Sequence, residues 1–167
     1  MGRTPAGAEG FDELFRAEYP ALVRRVQLVV GSAAVAEEIV QDAFCGALER
    51  WGRVRHVERP GAWVQVVAMR RAIKVEGRRR RGSELVPAWS PASDAGPVDI
   101  DLQRAIAALP EGQRRAVVLH HLADLSVDDV AEVLGVSAGT VKTQLHRGRA
   151  RLAEALREPE EATDGAG

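Results

Sequence analysis

The chain has 167 residues, 46% hydrophobic and 4% aromatic, which suits one domain or two small ones with packed cores. The longest apolar run falls far short of the roughly 20 residues that span a bilayer, the N-terminus lacks the apolar core of a secretory signal, and the single Cys45 excludes an internal disulfide. We therefore expect a cytoplasmic protein without membrane insertion, and the residue usage favours helices over strands.

Two basic blocks underlie the net charge of −1. Residues 43–82 contain 11 basic and 3 acidic side chains, and residues 137–157 contain 5 basic and 1 acidic. The compensating acidic residues lie in other segments, including the end of the chain. Because phosphate binding depends on clustered Lys and Arg, this distribution predicts two nucleic-acid-binding surfaces, with acidic surfaces left for another partner.

The N-terminal part of the chain predicts a flexible end followed by helices. Residues 1–10 are rich in Gly, Ala and Pro and offer little to bury. Apolar residues spaced three and four apart then predict a helix from Phe11 that is interrupted or bent near Pro20 and ends at Gly31. Ser32 is placed to cap the next helix.

The second predicted helix carries one apolar stripe that runs through Trp51. A third helix begins near Pro60 and is expected to fray around Gly77, which completes a helical domain over residues 11–82. The composition then changes to prolines and small polar residues without a helical or strand period. Residues 83–98 are therefore predicted to be a flexible linker.

Residues 99–157 predict a second small helical domain. Its first helix stops at Pro110, a second covers residues 113–122, and two more follow, whereas residues 158–167 form an acidic tail. The predicted fold is thus all-α, with two small helical domains joined by a linker.

The last two predicted helices have the spacing of a helix-turn-helix. Ser126, three residues before Asp129, resembles a capping box, and Gly135 supplies a left-handed turn. The small Ala131 allows the two helices to approach closely, and Ser137 can cap the second of them. In this motif the second helix places its N-terminal face in the major groove of DNA.

The outward face of that second helix carries hydroxyl, amide and basic side chains. Short hydroxyls and amides near the helix start can reach base edges, and the later arginines are placed for phosphates. A merely solvated basic face is the alternative, which the capped preceding helix and the glycine turn disfavour. The outward residues are Thr140, Lys142, Thr143, Gln144, His146, Arg147, Arg149 and Arg151.

Three segments resemble the sigma-70 superfamily, and together they cover nearly the whole chain. The stretch AEEIVQDAFCGALERW is similar to the family's most recognisable helix, and VQDAF is its most specific part. GAWVQVVAMRRAIKVEGRRRR resembles the promoter-reading helix that follows, and the stretch beginning LQRAIAALPEGQRR resembles the C-terminal domain. Two such domains without a long insertion between them match the short, extracytoplasmic-function (ECF) group.

The resemblance implies a subunit that binds core RNA polymerase and promoter DNA and promotes strand opening. Glu38, Gln41 and Asp42 on the second helix would contact the polymerase clamp. Spacing alone favours a solvated polar face, and the motif match is what favours docking. The C-terminal domain would read the −35 element as duplex through the outward residues above together with Ser137. An anti-sigma factor is a further partner that the resemblance suggests.

The third helix would contact the −10 element, mostly through phosphates. Trp63 could stack on an unpaired base, but a core position is at least as consistent with its place in an apolar stripe. The −10 candidates are Trp63, Arg70, Arg71, Lys74, Arg78, Arg79, Arg80 and Arg81.

The promoter-reading helix departs from the family pattern at three positions. Members commonly carry Arg-Asn near positions 69 and 70 and an acid at 74, where this chain has Met69, Arg70 and Lys74. Because the Asn often helps to hold a flipped base, we expect an altered −10 base pocket and a greater general affinity for promoter DNA.

Three other functions compete with this interpretation. An enzyme is disfavoured because the chain shows no P-loop, no paired Cys and no nucleophile with a base, and the adjacent His120 and His121 would point about 100° apart on a helix. No cofactor or metal is therefore expected. A stand-alone regulator would use residues 1–82 for dimerisation or sensing, and a protein without promoter activity would act by protein contact alone.

Overall fold

The computed structural model describes residues 8–82 and 97–157. Most of the predicted flexible end, nearly all of the predicted linker and the acidic tail therefore lie outside the described residues. Within the described part, every regular element is helical, which confirms the predicted fold class. In chain order these elements are α1 Phe11–Val30, α2 Ala33–Glu49, α3 Trp51–Val54, α4 Pro60–Arg81, α5 Pro97–Ala107, α6 Glu111–Val117, a π-helical turn Val118–Leu122, α7 Val127–Leu134 and α8 Ala138–Ala155.

The first helix, α1, is continuous. The predicted interruption near Pro20 is wrong, because this exposed residue lies inside the helix. A proline removes one backbone hydrogen bond, but the next turns are anchored by Leu22 and Val26, which are at most 1% exposed. The helix ends as predicted at Gly31, whose φ of 75° is left-handed and whose N–H donates to the Gln27 carbonyl at 2.7 Å.

The residues just before α1 are packed against the fold. Ala8 is buried, and its carbonyl accepts a hydrogen bond from the Phe11 N–H at 3.0 Å. The Glu9 carbonyl accepts from Nε1 of Trp51 at 3.1 Å, and this tryptophan begins α3 instead of continuing α2. The prediction of a flexible end is therefore wrong for residues 8–10, which these contacts anchor.

The helix α4 extends to Arg81, so the predicted fraying around Gly77 is also wrong. Two side chains hold this last part of the helix. Glu76 is buried, and Nη1 of Arg79 donates to the carbonyl of Val30 at the end of α1, at 3.5 Å. Tertiary contacts thus outweigh the low helix propensity of glycine at this point.

The C-terminal unit differs from the prediction in two details. α5 begins at Pro97, two residues inside the predicted linker. The single helix predicted over residues 113–122 is instead α6 followed by the π-helical turn, where the Ala123 N–H donates to the Val118 carbonyl at 2.9 Å. Such turns insert one extra residue and are frequent at functional sites.

The predicted helix-turn-helix is formed by α7 and α8. Ser126 Oγ accepts from the Asp129 N–H at 3.1 Å, as a capping residue should. Gly135 takes a φ of 66° between the helices, and Ser137 Oγ accepts from the Thr140 N–H at 3.1 Å. All three local signals therefore act as the sequence predicts.

The two helical units share one apolar core. α1 packs against α5, α6 and the π-helical turn, and α4 packs against α7. Leu22 and Val26 from the N-terminal unit and Ile106 and Leu119 from the C-terminal unit belong to one continuous cluster of buried side chains. The sequence did not predict this packing, because apolar stripes on α1 and α4 are explained equally well by contacts within one unit.

We expect Gly148→Ala to destabilise the contact between α6 and α8. A Cβ atom at position 148 would lie 2.9 Å from Cγ2 of Val117, which forces the helices apart and should cost about 1–3 kcal/mol. Gly139→Ala is the matched control in the same helix, because its Cβ would meet only Ser137 Oγ at 3.8 Å. The control should stabilise the fold by up to ~1 kcal/mol. Urea unfolding followed by circular dichroism measures both, and equal effects of the two changes would contradict the packing.

Candidate nucleic-acid interface

The exposed face of α8 carries most of the residues predicted to contact duplex DNA. Ser137 is the N-cap residue of α8, and its hydroxyl also forms a hydrogen bond with the Thr140 hydroxyl at 2.9 Å. Its side chain therefore caps the helix. The N-terminal end of a helix carries a partial positive charge that attracts phosphate. The predicted contacts that are exposed are Thr140, Lys142, Thr143, His146, Arg147, Arg149 and Arg151.

Thr143 and Gln144, two further predicted contacts on α8, also interact within the protein. Thr143 Oγ1 donates to the Gly139 carbonyl one turn earlier, at 3.1 Å. Gln144 is partly buried and packs beside Gly112 in α6, where a Cβ atom would lie 3.2 Å from its amide group. Gln144 therefore supports the contact between α6 and α8 and is less accessible than the other predicted contacts on α8.

A histidine of the π-helical turn holds Arg149. The Nε of Arg149 donates to Nε2 of His121 at 2.9 Å, and an imidazole accepts a hydrogen bond only when it is neutral. Partial burial, followed by the positive charge of Arg149 and by His120, lowers the pKa of His121 below its ordinary value of 6.5. The neutral form is thus favoured at pH 7, and it orients the guanidinium on the outer face of α8.

Two arginines predicted to contact the −10 element are ion-paired with other helices. Arg70 lies 2.7 Å from the Glu132 carboxylate on α7, and Arg71 lies 3.0 Å from the Asp42 carboxylate on α2. At least 45% of each of these side chains is exposed. Exposed ion pairs of this kind contribute little free energy, so a phosphate can replace the carboxylate at low cost.

The remaining basic residues of α4 differ in exposure. Lys74, Arg78 and Arg81 are exposed, whereas Arg79 is partly buried against the end of α1. Arg80 lies in α4, and its side chain falls outside the described part of the structure. The accessible basic face of α4 is therefore narrower than the arginine run suggests.

Two apolar residues of α4, Met69 and Trp63, differ in whether they are accessible to an unpaired base. Met69 is 0% exposed and belongs to the core, so it cannot line a pocket for a flipped base. Trp63 is partly buried and packs against the same core, which leaves part of its surface accessible. The burial of Met69 therefore excludes it from contact with a flipped base.

The exposed face of α2 carries the three residues predicted to contact polymerase. Glu38, Gln41 and Asp42 are all exposed, and Nε2 of Gln41 donates to the Tyr19 hydroxyl at 3.4 Å. A groove of about 610 Å³ lies between this face and α4, with acidic residues on one wall and basic residues on the other. Its lining comprises Val35, Glu38, Ile39, Asp42, Arg71, Lys74, Val75, Arg78 and Arg79.

The sequence reasoning missed four polar residues that join the two units. Glu76 on α4 contacts Arg114 and Arg115 on α6, and Gln65 on α4 donates to the Ala123 carbonyl. One signal was available for the first contact, since Glu76 is the single acidic residue in the otherwise basic α4. The glutamine offered no comparable signal.

Two further observations bear on the kinds of site present. In the part of the chain that the structure covers, no three His, Cys, Asp or Glu side chains are grouped so that they could hold a metal ion. Among the same residues, no helix combines the length and the apolar character needed to cross a membrane.

Comparison with known families and proteins identifies both units. The model of Sigma-70 region 2 matches residues 14–83, and that of Sigma-70, region 4 matches residues 99–152. The chain is 33% identical over 153 residues to the RNA polymerase sigma-E factor of Streptomyces coelicolor, a match covering 87% of this chain and 85% of that protein. It is also 33% identical over 155 residues to the ECF RNA polymerase sigma factor SigM of Mycobacterium tuberculosis, covering 87% and 76%.

The fold agrees with that of a solved sigma factor. The sigma factor RpoE of Bartonella quintana, solved in complex with the anti-sigma factor NepR, superposes with a TM-score of 0.65 at 25% identity. The match covers 87% of this chain and 96% of that one. With both regions matched in order and relatives aligned over most of their length, the chain belongs to the ECF RNA polymerase sigma factors of the sigma-70 superfamily.

Proposed function

We propose that this chain binds core RNA polymerase through α2 and directs it to promoters that carry a −35 and a −10 element. One observation carries the proposal: the same chain has two separate exposed basic helix faces, on α4 and α8, and a polar face on α2 that adjoins the first of them. A regulator that binds duplex DNA by itself needs only the α8 face. The additional surfaces therefore favour a subunit that works inside a larger complex.

The α8 face reads the −35 element as duplex. Lys142, Thr143 and Arg147 are exposed near the middle of the helix and reach base edges, in the geometry that a helix-turn-helix gives its second helix. Arg149, oriented by His121, contacts the phosphate backbone.

The α4 face contacts the −10 element and favours the open strands. The exposed Lys74 supplies a phosphate contact, and Arg70 and Arg71 do so once Glu132 and Asp42 are exchanged for DNA. The accessible part of Trp63 offers a stacking surface. Strand opening then follows from tighter binding to the single strand than to the duplex. This step needs no catalytic group, so the chain acts by binding and not as an enzyme.

Three exposed residues of α2 contact the polymerase. Glu38, Gln41 and Asp42 lie on one helix face, which suits docking against a basic or polar partner helix. An anti-sigma factor is a further proposed partner, supported by the similarity to a sigma factor solved with one. Because polymerase and promoter DNA share the bacterial cytoplasm, the chain would act there.

Reconstitution with core RNA polymerase tests the function. We expect transcripts whose mapped starts share an upstream and a downstream element, and we expect the yield to fall when the −35 element is scrambled. Without polymerase, the chain should show no specific gel shift on the same duplex, whereas a stand-alone regulator would bind it. Transcript starts identical to those of core polymerase alone would refute the proposed function.

A further inference from the structure

An ion pair joins two surfaces of the N-terminal unit that are proposed to bind different partners. Asp42 belongs to the exposed face of α2 that is proposed to contact polymerase, and Arg71 belongs to the basic face of α4 that is proposed to contact the −10 element. Nη1 of Arg71 lies 3.0 Å from Oδ2 of Asp42. Each of these candidate contacts is therefore the counter-charge of the other in the free chain.

The packing of α2 against α4 brings the two charged residues together. Ala43 and Ala72, which follow them directly in sequence, are both 0% exposed, and such small side chains allow the helices to approach closely. The charged side chains themselves stay accessible, since 63% of Asp42 and 45% of Arg71 is exposed. A partner of either helix can therefore reach the pair without a rearrangement of the core.

The groove between these helices extends the same arrangement of charge. Glu38 lies with Asp42 on the α2 wall, and Lys74 and Arg78 lie on the α4 wall with Arg71. All of these side chains are exposed. Each wall partly neutralises the field of the other, so a basic partner on the α2 wall strengthens the attraction of the α4 wall for a phosphate.

The ion pair has to break before either ligand makes full use of its contact. The first ligand to bind bears this cost, and the second ligand finds its contact residue already released. Binding of the two ligands is then positively coupled, and thermodynamic linkage makes the coupling equal in both directions. Because exposed ion pairs contribute little free energy, this pair limits the coupling to a factor of about five.

We propose that the ion pair between Asp42 and Arg71 couples the binding of polymerase on α2 to the binding of the −10 element on α4. Asp42 has two partners in turn, Arg71 in the free chain and a basic group of the polymerase in the complex. The inference rests on the proposed function for the identity of the polymerase surface. The masking of Arg71 in the free chain does not depend on that function.

Binding of the free chain to single-stranded DNA tests the masking of Arg71. The probe is a fluorescein-labelled strand of about 15 deoxythymidines, and its fluorescence anisotropy at low salt reports phosphate contacts. Asp42→Asn should raise the affinity about threefold, because it removes the counter-charge of Arg71. The gain should vanish when Arg71→Gln is combined with it, so that the double variant binds as Arg71→Gln alone does.

Glu37→Gln is the matched control on the same helix. Glu37 is exposed and lies outside the lining of the groove, so this substitution removes one negative charge and leaves the ion pair intact. It should change the affinity for the strand by less than about 1.5-fold. Equal gains from Glu37→Gln and Asp42→Asn, or a gain that survives Arg71→Gln, would overturn the masking of Arg71.

The affinity of the chain for core polymerase tests the coupling itself. A saturating amount of the same strand should tighten the binding of the wild-type chain by a factor about three times that measured for Arg71→Gln. Arg71→Gln leaves the α2 face unchanged, and any direct effect of the strand on polymerase is common to both chains. Equal factors for the two chains would overturn the coupling.

The two measurements separate this inference from the proposed function. If the free chain shows the masking of Arg71 but does not bind core polymerase, the masking stands, whereas the proposed function and the coupling to polymerase both fail. If the chain supports transcription with polymerase while Asp42→Asn and Arg71→Gln act additively, the proposed function stands and the coupling through this pair is overturned.

Discussion

Reversing two charges on α8, Lys142→Glu with Arg147→Glu, is expected to abolish transcription from promoters that need a −35 element. Both side chains are exposed on the face that the helix-turn-helix presents to the major groove. Each good base contact contributes about 1–3 kcal/mol, so losing two and adding repulsion should lower promoter-specific transcription about 100-fold or more. Titration of the chain against core polymerase on a matched promoter measures the loss.

The control for this experiment lies just beyond the same helix. Arg157→Glu makes the same kind of charge change at an exposed position after the end of α8, outside the predicted DNA face. This variant should retain transcription within about twofold, and both variants should still bind core polymerase, since the α2 face is untouched. Normal transcription by the double variant would show that α8 does not read the −35 element.

Phe44→Ala is expected to have the largest effect on stability. Phe44 is 2% exposed, and its ring lies 4.9 Å from that of Phe15 and 6.1 Å from those of Phe11 and Tyr19. Truncating a buried phenylalanine leaves a cavity and costs about 3–5 kcal/mol. Because whole domains are stable by only about 5–15 kcal/mol, the midpoint of urea unfolding should fall sharply.

Two further variants of α2 show whether the loss comes from the aromatic cluster. Phe44→Leu keeps an apolar side chain and should cost about half as much or less. Leu48→Ala lies one turn later, where the side chain is 40% exposed, and should change the stability by no more than about 0.5 kcal/mol. A loss below ~1 kcal/mol for Phe44→Ala would mean that the ring is not packed as the structure shows.

The features that the sequence predicts well are local ones. Ser126 and Ser137 cap their helices, and Gly31 and Gly135 take positive φ, because each effect depends on backbone within a few residues. The apolar face of α2 was predicted for the same reason, since helical spacing alone brings its residues together. The family resemblance then supplied the expected roles of the two units, which local signals do not contain.

The features that the sequence did not predict depend on distant partners. Pro20 remains inside a continuous helix because buried neighbours anchor the following turns, and α4 passes Gly77 because Glu76 is held by α6. The burial of Met69 and the partial burial of Gln144 likewise follow from which helix lies opposite. For the candidate site, residue type indicated which helices carry basic side chains. The exposure of each of these side chains, on which any contact with DNA depends, is set by packing.

The core shared by the two units delays the folding of the N-terminal half until the C-terminal half has been synthesised. Leu28 of α1 and Ile106 of α5 line the same crevice between the units, so the partner of this α1 face is synthesised only after the whole N-terminal unit. The bond from Gln65 to Ala123 spans 58 residues, a separation typical of contacts that form late. Until then a nascent N-terminal half presents uncovered apolar surface, which is prone to aggregate. Expression of residues 8–82 alone should therefore give a smaller soluble fraction than expression of the full chain. We expect this even though residues 8–82 contain all of the Phe, Tyr and Trp residues that the structure describes.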